Sequence, residues 1–134
     1  MKGESILSLT RYDVEKICFI LNDGFEFNDE PIKLNPTFDR GIKKINKDSA
    51  KIILGFEIKS TEENPSPFNL SIVISGIFEL NDWESKDTDI MKYNTLSVLF
   101  PFLRSLIATV TANASIPPYI LPVININALF DEDE

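Results

Sequence analysis

The sequence predicts an α+β fold: a four-stranded antiparallel sheet with one long and one short C-terminal helix. Three observations predict it. Four stretches ahead of residue 81 alternate apolar and polar side chains, the period of half-buried strands. From Asn94 the spacing becomes helical, with Leu96, Leu99, Leu103, Leu106, Ile107 and Val110 recurring three or four residues apart. Strand patterns come first and helical patterns last, which gives segregated layers rather than alternating βαβ units.

The first strand, from about Ser5 to Leu21, changes phase along its length. Tyr12 and Val14 lie on even positions, whereas Ile17, Phe19 and Leu21 lie on odd ones. A one-residue shift without turn residues predicts a β-bulge near Glu15 and Lys16. Asn22-Asp23-Gly24 then opens a crossover loop that carries Phe25, Phe27 and Ile32. A weaker strand covers Thr37 to Ile45, with Phe38 and Ile42 in phase. Alternation is plain from Ile52 to Ile58 and longest from Phe68 to Leu80. The breaker-rich run Thr61 to Pro67 between these two strands predicts an antiparallel hairpin. Phe56, Leu70, Ile72 and Ile74 are expected to face the helix layer.

The long helix is apolar on its other face too, through Val98, Phe100 and Phe102. Such a helix needs cover on more than one side. A chain with one sheet supplies one cover, so a second subunit is expected as the other, with Leu99, Leu103 and Ile107 near the centre of that interface. Beyond the helix, IPPYILPV holds three prolines and few free N–H groups. It reads as an extended apolar loop presenting Ile116, Tyr119, Ile120 and Leu121. The short helix is expected near Asn125 to Asp131, before a solvated acidic tip.

A chain of 134 residues buries one sizeable core, so residues 1–134 read as a single domain. Its hydrophobic content of 43% is ordinary for a globular protein. Ten phenylalanines in so short a chain point to rings on a binding surface as well as in the core. The net charge of −8 argues against nucleic acid, whose phosphates need Lys and Arg patches. It suits partners that are basic and apolar at once. No stretch reads as the roughly 20 apolar residues of a membrane span, and the N-terminus lacks the apolar centre of a signal peptide. Cys18, the single cysteine, excludes an internal disulfide. These readings predict a cytoplasmic protein with no membrane insertion.

Catalysis has little to stand on. The chain has no histidine, and its five glycines assemble neither a phosphate loop nor a nucleophile elbow. The carboxylates at Glu62-Glu63, Asp87-Asp89 and Asp131 to Glu134 fit no calcium loop and read as solvated. Cys18, between Ile17 and Phe19, reads as a buried or half-buried structural thiol. No enzyme activity, cofactor or metal is expected.

The C-terminal half resembles the SecB family of protein-export chaperones. The resemblance is carried by Leu99-Phe100-Pro101-Phe102 with Arg104, by Ile116-Pro117, by Asn125 followed by Ala128-Leu129-Phe130, and by Gly76-Ile77-Phe78. It implies dimers joined through strands and two such dimers packed through their long helices, a homotetramer. It also implies an ATP-independent holdase that binds unfolded or partly folded polypeptides, preproteins for Sec-dependent export among them. In that family the crossover loop and the loop between the two helices line peptide-binding grooves. Phe38, Phe68 and Ile116 match groove positions, and Phe25, Phe27, Tyr119 and Leu121 belong to the same two loops.

Two departures bear on partners. Family members dock on the translocase motor SecA partly through acidic residues on the outer sheet face, where this chain holds Lys16, Ile20 and Ser71. The apolar tail of the second motor contact is not expected here, with Asp131-Glu132-Asp133-Glu134 following Phe130. Client binding can survive these changes, whereas SecA docking is put in doubt. Two other readings fit the same apolar surface: a SecB-like chaperone dedicated to an antitoxin of a toxin–antitoxin system, and a carrier of a small apolar ligand.

Overall fold

The structure, a computed structural model, describes residues 7–27, 32–80 and 88–114. Within these residues the chain forms β1 (Ser8–Leu21), β2 (Thr37–Asn46), β3 (Ser49–Ile58), β4 (Phe68–Glu79) and α1 (Thr88–Asn113). The strands make one sheet in the order β1-β4-β3-β2, with every neighbouring pair antiparallel. The expected fold class is therefore observed. The short second helix and the proline-rich loop lie outside the described residues.

Strand phase sets the two sheet faces. Across each antiparallel pair, facing residues share a side, so Phe56, Leu70, Ile72, Ile74 and Phe78 form one apolar face. All five are buried in one core with Leu96, Leu99, Leu103 and Ile107 of α1, as the alternation predicted. The expected bulge is present: Val14 pairs with Ile74 and Lys16 with Val73, leaving Glu15 as the extra residue. A second shift lies between Leu9 and Arg11. With both bulges, Leu9, Tyr12, Val14, Ile17, Phe19 and Leu21 all register with core-facing residues of β4. This second shift also has a signal in the sequence, since Leu7 and Leu9 lie on odd positions and Tyr12 and Val14 on even ones, although only the Glu15 bulge is expected above.

The bulges also set the outer face. Glu15 accepts a 2.6 Å hydrogen bond from Ser75 of β4 and meets Lys51 of β3 at 3.0 Å, a link across three strands. Cys18 falls on this outer face opposite Ser71 and is exposed, not buried as expected. Among the described residues the helix covers the other face, which leaves a thiol of this phase exposed.

α1 lies over β3 and β4. Gly76 of β4 lets it approach: a Cβ there would sit 2.8 Å from Leu9 Cδ1, 3.0 Å from Phe78 Cε1 and 3.1 Å from Leu99 Cδ2. Buried Thr95 and Thr111 bond their hydroxyls to the carbonyls of Lys92 and Ile107, so neither leaves an unpaired group in the core. Pro101, which cannot donate to the preceding turn, sits on the exposed side. Over Lys92–Asn113 the helix is, by length and composition, apolar enough to cross a membrane, with mean hydropathy 1.5. That corrects the sequence-based statement that no such stretch exists. Lys92 and Arg104 are the only charges in it, and its apolar stripe packs on the sheet.

Leu99, Leu103 and Ile107 have no accessible surface within the single chain. They serve the intramolecular core, so the expectation that they centre an intersubunit contact is corrected. The helix side turned outward carries Val98 and Phe102, each 39% exposed.

Candidate functional site

The crossover loop carries the chain from one sheet edge to the other, because β1 and β2 are the two outermost strands. Its entry is fixed by Asn22. The Asn22 amide donates to the Pro67 carbonyl at 2.8 Å, and its side-chain Nδ2 donates to Ser60 Oγ at 3.2 Å and the Ser66 carbonyl at 2.9 Å. Its Oδ1 accepts from the Gly24 amide at 3.2 Å, and its carbonyl accepts from the Phe25 amide at 3.1 Å. Ser60 Oγ also accepts from the Ser66 amide at 2.9 Å. One asparagine thus ties the loop to the β3–β4 turn, with its own donors and acceptors satisfied locally, as the Asn-Asp-Gly turn chemistry favours.

Beyond that anchor the loop turns its rings outward. Phe25 and Phe27 meet edge to face, with centroids 4.8 Å apart, and Phe27 remains 72% exposed. Ile32 is exposed as well. The loop and the β3–β4 turn enclose an open cavity of about 710 Å³ lined by Phe25, Glu26, Ile32, Lys33, Glu62 and Pro65 among others. Its lining mixes apolar and charged groups, which suits a peptide segment better than a purely apolar ligand.

The strand ends bring further aromatic residues to this end of the sheet. Phe38, at the start of β2, is half-buried and contacts Phe56 at 5.4 Å and Phe100 of α1 at 5.6 Å. Phe68, at the start of β4, is only 3% exposed and stacks on Phe19 at 5.4 Å. Its place in the core is a correction to its expected place on an open groove: in phase with Leu70 and Ile72, it faces inward. Four of the seven expected groove residues, Phe25, Phe27, Phe38 and Phe68, therefore lie at one end of the sheet, two of them at the surface or partly so in the loop. Ile116, Tyr119 and Leu121 lie outside the described residues. The sequence reading missed Phe19, half-buried on Phe68, although its odd phase after the bulge marks it as core-facing.

The outer sheet face is different in chemistry. Lys16, Cys18 and Ile20 are exposed there, and Arg11 pairs with Asp13 at 2.7 Å. The hydroxyl of Ser75 and then the ammonium of Lys51 hold the Glu15 carboxyl below its ordinary value, while burial raises the Tyr12 phenol. Among the described residues no group of three or more His, Cys, Asp or Glu is placed to hold a metal ion.

The described residues thus combine an antiparallel sheet, one long helix packed on one of its faces, an aromatic crossover loop at one end and an outer face of mixed charge. The SecB family, described as preprotein translocase subunit SecB, matches residues 22–134, and the chain belongs to that family. An uncharacterized protein of Methanocaldococcus jannaschii is 39% identical over 124 residues, covering 90% of this chain and 79% of that one. The protein-export protein SecB of Anaplasma phagocytophilum is 33% identical over 86 residues, 61% of this chain and 54% of its own. The match thus spans about half the length of that relative. Among solved structures, a SecB-like chaperone of Mycobacterium tuberculosis in complex with an antitoxin peptide superposes with a TM-score of 0.69 at 9% identity, covering 89% of this chain and 91% of that one. At such low identity the likeness concerns the fold.

Proposed function

We propose that this protein is an ATP-independent holdase that binds unfolded or partly folded polypeptides. The observation that carries the reading is the exposed aromatic crossover loop, with Phe27 72% exposed beside an open cavity. Phe25, Phe27 and Ile32 together give this open surface an apolar character that favours an apolar partner. Membership of the SecB family supports the same reading. The proposed surface comprises Phe25, Phe27 and Phe38, joined by Ile116, Tyr119 and Leu121 of the proline-rich loop. The protein is proposed to work in the cytoplasm as a homotetramer, without cofactor. The test is suppression of client aggregation by wild type and by Phe27→Ser: loss of suppression at an unchanged melting temperature supports the site, and undiminished suppression removes Phe27 from it.

A second reading, a chaperone dedicated to one client such as an antitoxin, is favoured by the outer face. Lys16, Ile20 and Ser71 replace the negative charge that the family presents to SecA, and the similar Mycobacterium tuberculosis structure holds an antitoxin peptide. Isolation of clients bound in the native host separates the two readings. One dominant client favours the dedicated role, and a mixture of preproteins favours export.

A further inference from the structure

The net charge of −8 is unevenly spread. From Lys33 to Lys51 there are six cations against two acids, Asp39 and Asp48, a net of +4, so the remaining residues carry −12. This basic segment is β2 with its flanks, and β2 is an edge of the sheet. In an antiparallel ladder, alternate residues turn their N–H and C=O groups away from the partner. Among the described residues, no strand takes those groups of β2. Lys43 and Lys47 are exposed, and Lys43 stands directly opposite Lys51, whose ammonium meets Glu15 at 3.0 Å on its other side. Ile42 and Ile45, 37% and 50% exposed, lie among these lysines.

We propose that the β2 edge accepts an acidic, extended polypeptide segment as an added strand, with its carboxylates against Lys43 and Lys47 and its apolar side chains beside Ile42 and Ile45. The inference rests on the reading of the chain as a polypeptide binder and names the class of segment it takes. It reverses the preference for basic clients that net charge alone implies. Range decides the matter: the Debye length is about 8 Å at physiological ionic strength. A strand on this edge lies beside the lysines of β2 itself, where salt screens little, whereas charges farther off than a Debye length count for little.

The test uses the full chain and three labelled octapeptides that alternate Val with Glu, Lys or Ser, titrated by fluorescence anisotropy in physiological salt. The Glu peptide is expected to bind roughly fivefold more tightly than the Lys peptide, the yield of two surface charge pairs. The double variant Lys43→Glu/Lys47→Glu is expected to melt like wild type and to invert that order. Equal or tighter binding of the Lys peptide by wild type overturns the proposal, as does a preference that persists in the double variant. If the Ser peptide binds as tightly as the Glu peptide, the holdase reading stands and the charge preference falls. If only the Glu peptide binds, the edge site stands and the general holdase falls; if none binds, both fall. Edge lysines also guard sheets against self-pairing. Self-association of Lys43→Ser/Lys47→Ser, with no acidic preference in wild type, assigns them that duty and overturns the site.

Discussion

Among single residues, two phenylalanines separate binding from stability. Phe27 stands in water and Phe68 in the core, although both were expected on one groove. Phe27→Ser is expected to change folding free energy by no more than about 0.5 kcal/mol, the range of ordinary surface changes. Phe68→Ser removes a buried ring and is expected to cost about 3–5 kcal/mol, enough to drop the melting temperature sharply. Matching melting temperatures for the two variants contradict these placements. The burial of Phe68 was legible in the sequence, since it shares phase with Leu70, Ile72 and Ile74; family resemblance pointed the other way, and phase decided. Gly76 makes a sharper case. A methyl added there meets Leu9, Phe78 and Leu99 within 3.1 Å, and the last two have no exposed surface to retreat toward. Gly76→Ala is expected to destabilise by about 1–3 kcal/mol in denaturant titration, with an unchanged midpoint counting against the close helix–sheet contact.

Secondary-structure elements show why most of the sheet could be read in advance and part of it could not. Alternation fixes the face of each strand, so β3 and β4 emerge from spacing alone. The bulge at Glu15 was legible because it interrupts that spacing; what Glu15 touches was not, because Ser75 and Lys51 come from strands 60 and 36 residues away. The outcome is a pH signature. Hydrogen bonds to the charged form lower the folded pKa of Glu15 beneath its ordinary value near 4.5. Stability from this group is therefore complete above that value and lost as pH falls through the lower folded pKa. Glu15→Gln is expected to flatten the dependence of unfolding free energy on pH below about 4.5, relative to wild type, and to leave its slope at neutral pH unchanged. Identical acid limbs for the two proteins would assign no role to the three-strand link. The helix was legible from Asn94 onward, but its first turns from Thr88 were not, and neither was its partition of faces, since leucines and phenylalanines recur on both sides and only packing shows which ones the sheet takes.

For the whole molecule, the apolar surface left uncovered bears on assembly. Val14, Ile17 and Leu21 register with core-facing residues of β4 yet are between 43% and 53% exposed, because α1 lies over β3 and β4 instead. Phe102 reaches β1 and stacks on Tyr12 at 4.4 Å, so this strip continues onto the outward side of the helix. A continuous apolar strip is expected to pair with another copy. Wild type is expected to sediment as a tetramer, and Val98→Glu to give smaller, folded species. Leu103→Glu, by contrast, places a charge in the core and is expected to unfold the chain rather than dissociate it. A monomeric wild type in analytical ultracentrifugation would refute the assembly argument, and a folded, dissociated Leu103→Glu would move the interface back to the stripe expected from sequence.

The position of β4 between β1 and β3 has a consequence for synthesis. Ser8 pairs with Glu79 and Leu21 with Phe68, so among the described strands the first one made has no partner until β4 has left the ribosome. At about 5–20 residues per second that interval lasts seconds. Meanwhile β2 and β3, joined through the Asn46–Ser49 turn, close locally and wait. During every round of its own translation, then, this protein presents an unpaired strand of alternating apolar residues, and the nascent chain passes through the same vulnerable condition as the polypeptides it is proposed to shelter.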